Sequence, residues 1–270
     1  MSEKKKTLKL AILNDIHEKL DHVEMLQKYW KENNLQVDCI VCCGDICTVH
    51  RNERDNEEIN AQKMEIAKQA IAMLEELCPK VLYVPGNHDP TILFEKRAYY
   101  PNEFNSSLPP ASTSPLPCDA YKLSDSSVNL HRNAYHLKEN LVFVGVGGSV
   151  PQFDGENYSK KGFPYSCDEE FAHFLHEVLP KDGKAEAVGE HDNIIIVTHN
   201  GPSCSHTSLK FSKTKSVKQT GSHCLTHIIE NKEYKNRFSC ILHGHTHDSQ
   251  GLVNHETVKI VNAGAVKFVY

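Results

Sequence analysis

The chain has 270 residues, enough for one large domain or two small ones. Its apolar share of 39% and charged share of 24% are ordinary for a soluble globular protein. The formal net charge of −5 argues against a broad cationic footprint, so duplex nucleic acid is not an expected partner.

Residues 8–13 are apolar and strand-like, and run into Asn14-Asp15-Ile16-His17. The charged residues before them and the shortness of this run do not make a secretion signal, and no run reaches the ~20 apolar residues that span a bilayer. A cytoplasmic protein with no membrane partner is expected. Residues 20–33 carry Leu20, Val23, Leu26, Tyr29 and Trp30 at helical spacing. A second strand, 37–43, ends at Gly44-Asp45, and a long helix follows over 57–77, with Ile59, Met64, Ala67, Ile71, Leu74 and Leu77 available for one face. Pro79 follows closely, as is common past a helix end. A third strand, 80–84, ends at Pro85-Gly86-Asn87-His88-Asp89. This βαβαβ rhythm predicts right-handed crossovers and a largely parallel sheet, whose ligand site lies beyond the C-terminal strand ends.

Residues 101–127 are rich in Pro, Ser and Asn and read as a long surface loop within a single 1–270 domain. Further strands are predicted over 141–146, 193–198, 238–242 and 257–261, with a final strand reaching Tyr270, and helices over 167–179 and 222–231. Residues 150–166 look irregular. The second half alternates less strictly, so a second, mixed sheet packed on the first is expected. The fold class is α/β.

Ten cysteines (Cys39, Cys42, Cys43, Cys47, Cys78, Cys118, Cys167, Cys204, Cys224 and Cys240) show no repeated spacing, and there is no paired CxxC elsewhere to complete a tetrahedral zinc with Cys42, Cys43 and Cys47. They read as free thiols, and those of the second strand as small buried hydrophobes rather than zinc ligands.

The chemistry gathers at the strand ends: Asp15, His17, Asp45, Asn87, His88, Asp89, His199, His245 and His247. Mixed oxygen and nitrogen donors suit Mn, Fe, Zn, Ni or Co rather than Ca. So many donors exceed the needs of one ion. Two ions about 3.5–4 Å apart around one bridging carboxylate would use them, an arrangement suited to phosphoester hydrolysis.

Asp15-Ile16-His17, Gly44-Asp45, Gly86-Asn87-His88-Asp89, His199 and Gly244-His245-Thr246-His247, in this order, resemble the calcineurin-like metallophosphoesterase superfamily, and Asn262-Ala263-Gly264 resembles a later turn of it. The resemblance implies two packed mixed sheets flanked by helices, a four-layer α-β-β-α sandwich. It implies two divalent or trivalent metal ions, one held by Asp15, His17 and His247, the other by Asn87, His199 and His245, with Asp45 bridging. A metal-bridging hydroxide would attack a phosphodiester or phosphomonoester of a small phosphorylated substrate. His88 would protonate the leaving oxygen, and Asp89 would buttress its own loop.

Protein Ser/Thr phosphatases place a second Asp and an Arg where this chain has Thr48 and Val49, and a Glu where it has Asp89. A dedicated monoester grip is therefore less evident, and Arg51 or Arg54 is a candidate for a displaced clamp. A non-catalytic scaffold on the same fold is the rival reading, disfavoured because no ligand position is lost; a nuclease of the superfamily is disfavoured by the acidic balance. His173 with His176, and His223 with His227, are read as helix-surface pairs without metal, and His243 as packing. Lys210, Lys213, Lys215 and Lys218 could form a cationic flap or a solvated loop. Asn200 could bond phosphate or a metal-held water.

Overall fold

The alternation in β2 (Cys39–Cys42) shows how the molecule is layered. Ile40 and Cys42 join a core beneath helices, while Cys39, Val41 and the following Cys43 join a different one. A strand buried on both faces needs apolar residues at every position, because successive side chains point to opposite sides of the pleat. The computed structural model describes residues 7–94, 122–153, 158–179, 188–211, 216–234 and 236–265.

The first sheet has the order β1-β2-β3-β4, with β1 (Leu10–Leu13), β3 (Val81–Tyr83) and β4 (Val128–Asn129) all parallel to their neighbours. Helices α1 (Leu20–Glu32) and α2 (Glu57–Glu75) make its first two crossovers. Asn56 caps α2, its side chain accepting from Ile59 N, and Met64, Ala67, Ala70, Ile71 and Leu74 face the sheet. On α1, Val23 and Trp30 are buried, but Tyr29 is 52% exposed: the helix turns it off the apolar stripe.

The second sheet has six strands in the order β13-β14-β12-β9-β6-β5. Its parallel centre is β6 (Leu141–Val146), β9 (Asn193–Thr198), β12 (Phe238–His243) and β14 (Val258–Asn262). Its edges, β5 (Asn133–Lys138) and β13 (Gly251–His255), are antiparallel. Short pairs complete the strands: β7 (Gln152–Phe153) with β8 (Tyr158–Lys160), and β10 (Leu209–Phe211) with β11 (Val217–Gln219). Helices α3 (Asp168–Val178) and α4 (His223–Glu230) cover the outer face, burying Phe171, Leu175, Leu225 and Ile228 on Val142, Val144, Ile194 and Ile196.

Between the sheets, Val41, Leu82 and Val84 meet Phe143, Ile195, Val197 and Leu242. Truncating Phe143 to Ala in this layer should cost ~3–5 kcal/mol, since the sheets on both sides limit collapse of the void. The layers therefore run helix, sheet, sheet, helix, as the resemblance implies. The first sheet is wholly parallel among the described strands. Residues 101–121 of the Pro/Ser-rich region and 266–270 of the expected final strand lie outside the described residues. Of the former region's remainder, Leu123 is buried and its N–H donates to Tyr83 Oη at 3.0 Å. Among the described residues, no helix is long and apolar enough to cross a membrane.

Candidate metal centre

Every residue expected at the site leaves the C-terminal end of a parallel strand, and the loops of the two sheets bond to each other there. The β1–β2 ladder continues past the strands: Asp15 N–H donates to Gly44 O (3.0 Å), His17 N–H to Asp45 O (2.9 Å) and Glu18 N–H to Ile46 O (3.0 Å). Across the sheets, His199 Nδ1 lies 2.8 Å from Cys43 O, and Gly244 N–H donates to His199 O at 3.1 Å. Asp15, His17, Asp45 and His245 all have left-handed backbones, with φ of 51°, 48°, 53° and 67°. Such conformations cost about 1–3 kcal/mol each and persist where surrounding bonds over-determine them. Gly86 is required by close approach, because a Cβ there would overlap the Asp45 main-chain N and Oδ1.

Two groups of donors result. Ligand atoms of Asp15, His17, Asp45 and His247 lie within 4.8 Å of one another. His247 Nε2 is 3.1 Å from Asp15 Oδ1 and 3.3 Å from His17 Nε2, which is 3.7 Å from Asp45 Oδ2. The second group centres on His199 Nε2, at 3.1 Å from Asn87 Oδ1, 3.3 Å from His245 Nδ1 and 3.3 Å from Asp45 Oδ2. Asp45 Oδ2 therefore belongs to both groups. Its other oxygen accepts from His88 N–H at 2.7 Å, which fixes the carboxylate's rotation.

These residues fit metal ions. Asp15 is fully buried, yet among the described residues its oxygens accept no aligned hydrogen bond, and their near neighbour is the His247 nitrogen 3.1 Å from Oδ1. A buried carboxylate without such partners is costly, and a cation removes that cost. The Cys43 carbonyl can only accept, so His199 Nδ1 carries the proton; in the neutral ring Nε2 then offers a lone pair toward the centre. Burial pushes His199 down, but the Asp45 carboxylate beside it more than compensates and raises it to about 9. Burial likewise works to raise Asp45, yet His199, His88 and His17 hold it well below the usual carboxylate range. His245 is held well below its ordinary value by burial, then by His199, with Asp45 opposing and the charges of His247 and Lys210 adding. The neighbouring thiols are poor ligands: burial raises Cys43 and Cys42 far above the ordinary thiol value.

Supporting contacts complete the site. Asp89 accepts from Gly86 N–H and from Cys47 N–H, both at 2.7 Å, so it ties its own loop to that of Asp45. His88 packs edge-on to His17 with ring centres 5.4 Å apart, and its Nδ1 is buried without a hydrogen bond among the described residues. Thr48 Oγ1 lies 3.1 Å from His17 Nδ1, and Gln152 Nε2 lies 3.4 Å from His245 Nε2. Asn14 Nδ2 donates to His243 O (2.8 Å) and Asn262 Oδ1 (3.0 Å). The contacts of Thr48, Gln152 and Asn14 leave no signal in the sequence, since each partner is remote in the chain. The departure from a phosphatase-like Asp at position 48 was the one local signal.

The clamp candidates differ. Arg51 is exposed on a 3-10 turn. Arg54 donates to Asn87 O and stacks its guanidinium 3.3 Å above the Phe163 ring centre. Asn200 does not serve phosphate: Val150 N–H donates to it, and it donates to the carbonyls of Gly201 and Thr220. His243 is packed and buried, 2.7 Å from Thr207 Oγ1.

A family model described as calcineurin-like phosphoesterase matches residues 8–249. Over 87 residues the chain is 31% identical to a lariat debranching enzyme of Arabidopsis thaliana, a match that covers 30% of this chain and 21% of that protein. Solved structures agree in fold. One from Thermus thermophilus superposes with TM-score 0.52 at 15% identity, covering 96% of this chain and 91% of its own. A dimetal phosphatase from Danio rerio gives 0.50 at 13% identity, covering 96% and 88%. With nearly nine-tenths of its length matched, the chain belongs to the calcineurin-like metallophosphoesterase family.

Proposed function

We propose that the protein is a dinuclear metal-dependent phosphoesterase. The observation that carries this reading is the position of Asp45 Oδ2, shared between two donor groups while Oδ1 is pinned by His88 N–H. Asp15, His17, His247 and Asp45 would hold one ion, and Asn87, His199, His245 and Asp45 the other. Such a pair supplies Lewis-acid charge to the phosphoryl oxygens and a nucleophilic water at neutral pH. His88, locked by its main chain onto the bridging carboxylate, holds a proton for the departing ester oxygen. Asp89 keeps the Asn87-His88 loop seated against the Asp45 loop.

Substrate charge follows from what lies beside His88. Thr48 faces His17, Val49 is buried, and Arg54 is engaged with Asn87 and Phe163. Among the described residues no guanidinium takes the place of the Arg that protein Ser/Thr phosphatases carry at the Val49 position, so phosphodiesters or a broad ester range fit better than phosphomonoesters alone. The test is turnover of bis-p-nitrophenyl phosphate and p-nitrophenyl phosphate by Mn-loaded protein. Both should be hydrolysed, the diester with the higher kcat/KM. No turnover with any of Mn, Ni, Co, Fe or Zn overturns the reading in favour of a non-catalytic scaffold.

A further inference from the structure

The hairpin β10–β11 is attached by its two ends to the loop that carries His245 and His247. Ser249 Oγ donates to Leu209 O at the start of the hairpin. At its end, Thr220 Oγ1 lies 2.8 Å from Thr246 Oγ1, between the two histidines in sequence. Thr220 also returns to the start, donating from both N (3.0 Å) and Oγ1 (2.7 Å) to Ser208 O. The hairpin is thus positioned with the loop bearing the proposed ligands.

Its register sets Lys210 directly opposite Lys218. Both are exposed, and among the described residues neither forms an ion pair. Like charges directly opposed on adjacent strands destabilise the pair, so folding does not explain them. Phe211 and Val217, the next pair, are 55% and 52% exposed, so no apolar core explains the hairpin either. In a chain of net charge −5, this is a local cationic pair on a hairpin tied to the His245–His247 loop.

We infer that Lys210 and Lys218 form a second anion-binding subsite, selecting phosphate esters that carry a further phosphate group beyond the one at the metal centre. This rests on the proposed function for the first phosphate, but not on turnover. An exposed pair of cations gains affinity by attraction that salt screens, so the effect should be modest and ionic-strength dependent.

The test is calorimetric titration of Mn-loaded protein with thymidine 5′-phosphate and thymidine 3′,5′-bisphosphate. The wild type should bind the bisphosphate about tenfold more tightly, an advantage that shrinks with added NaCl. In the Lys210→Gln/Lys218→Gln double variant the two affinities should come within about twofold, with a melting temperature equal to or above wild type. Equal affinities in the wild type, an undiminished ratio in the variant, or no binding of either nucleotide overturns the inference. Chromogenic turnover measured on the same preparations reports separately on the phosphoesterase reading.

Discussion

His199 Nδ1–H donates to the Cys43 carbonyl across 2.8 Å, and that bond decides which nitrogen faces the centre. The carbonyl belongs to the residue that follows β2, and the imidazole to the residue that follows β9, so the bond also joins the two sheets. A backbone acceptor behind a metal-binding histidine fixes its tautomer and ring plane. Here it directs Nε2 toward Asn87, His245 and Asp45 together.

Thr48 does the equivalent for His17 with a hydroxyl, 3.1 Å from Nδ1. The near-isosteric Thr48→Val removes that partner without changing the set of donors. Metal affinity at the Asp15-His17-His247 group should fall about 10–100-fold, read by competition with a chelating dye. Unchanged affinity would mean that the hydroxyl does not orient His17.

For His88, the prediction concerns the leaving group. His88→Asn should keep both ions, yet lower kcat about 10²–10⁴-fold on esters of alkyl alcohols. On p-nitrophenyl esters the loss should be much smaller, because p-nitrophenolate leaves without a proton. A loss independent of the leaving group would remove His88 from the acid role.

Gly86 tests packing at the Asp45 carboxylate. A methyl group there would occupy the space of the Asp45 main chain and Oδ1, so one of the two loops must move. Gly86→Ala should destabilise the fold by ~1–3 kcal/mol in urea unfolding and depress metal uptake. Wild-type stability and uptake would show that the loops have slack.

The pH dependence has a separate origin. His131 is buried, and its Nδ1 accepts from Gly147 N–H at 3.0 Å, which only an unprotonated nitrogen can do. Burial, then Arg132, pushes it down to about 3. The unfolded chain takes up this proton near pH ~6.5, while the native state resists until about 3. The stability His131 confers is therefore complete above the unfolded value and drains away as pH falls through that window. His131→Asn, which keeps an acceptor for Gly147, should reduce the acid-side slope by ~1.4 kcal/mol per pH unit in chelator-stripped protein. An unaltered slope would refute the assignment.

Local signals made much of this legible. The runs at 39–42, 81–83, 141–146 and 193–198 are apolar on both faces because both faces are covered, and such runs stand out in sequence. Each strand-end motif is short and local, so it could be seen in the sequence, while the ligand roles came from the resemblance of the five motifs in order. The edge strands β5 and β13 did not stand out, because their half-exposed residues include Asn, His and Lys and follow no clean alternation. Tyr29 fitted a helical stripe but sits one step round the helix from it. Asn200 adjoins a proposed ligand, yet its amide is turned to main-chain groups of Val150, Gly201 and Thr220, which the sequence places as far as 50 residues away. Contacts that only the packed sheets create, such as Thr48 with His17 or Asn14 with Asn262, leave no periodic trace.

Counting ions tests the central claim most directly. Chelator-stripped protein should be reloaded with Mn, freed of loose metal and analysed by mass spectrometry beside Asp45→Asn. A shared Asp45 predicts about two ions per wild-type chain and fewer than about one in the variant. A wild-type chain that retains one ion or none, or an Asp45→Asn chain that still retains two, would contradict it.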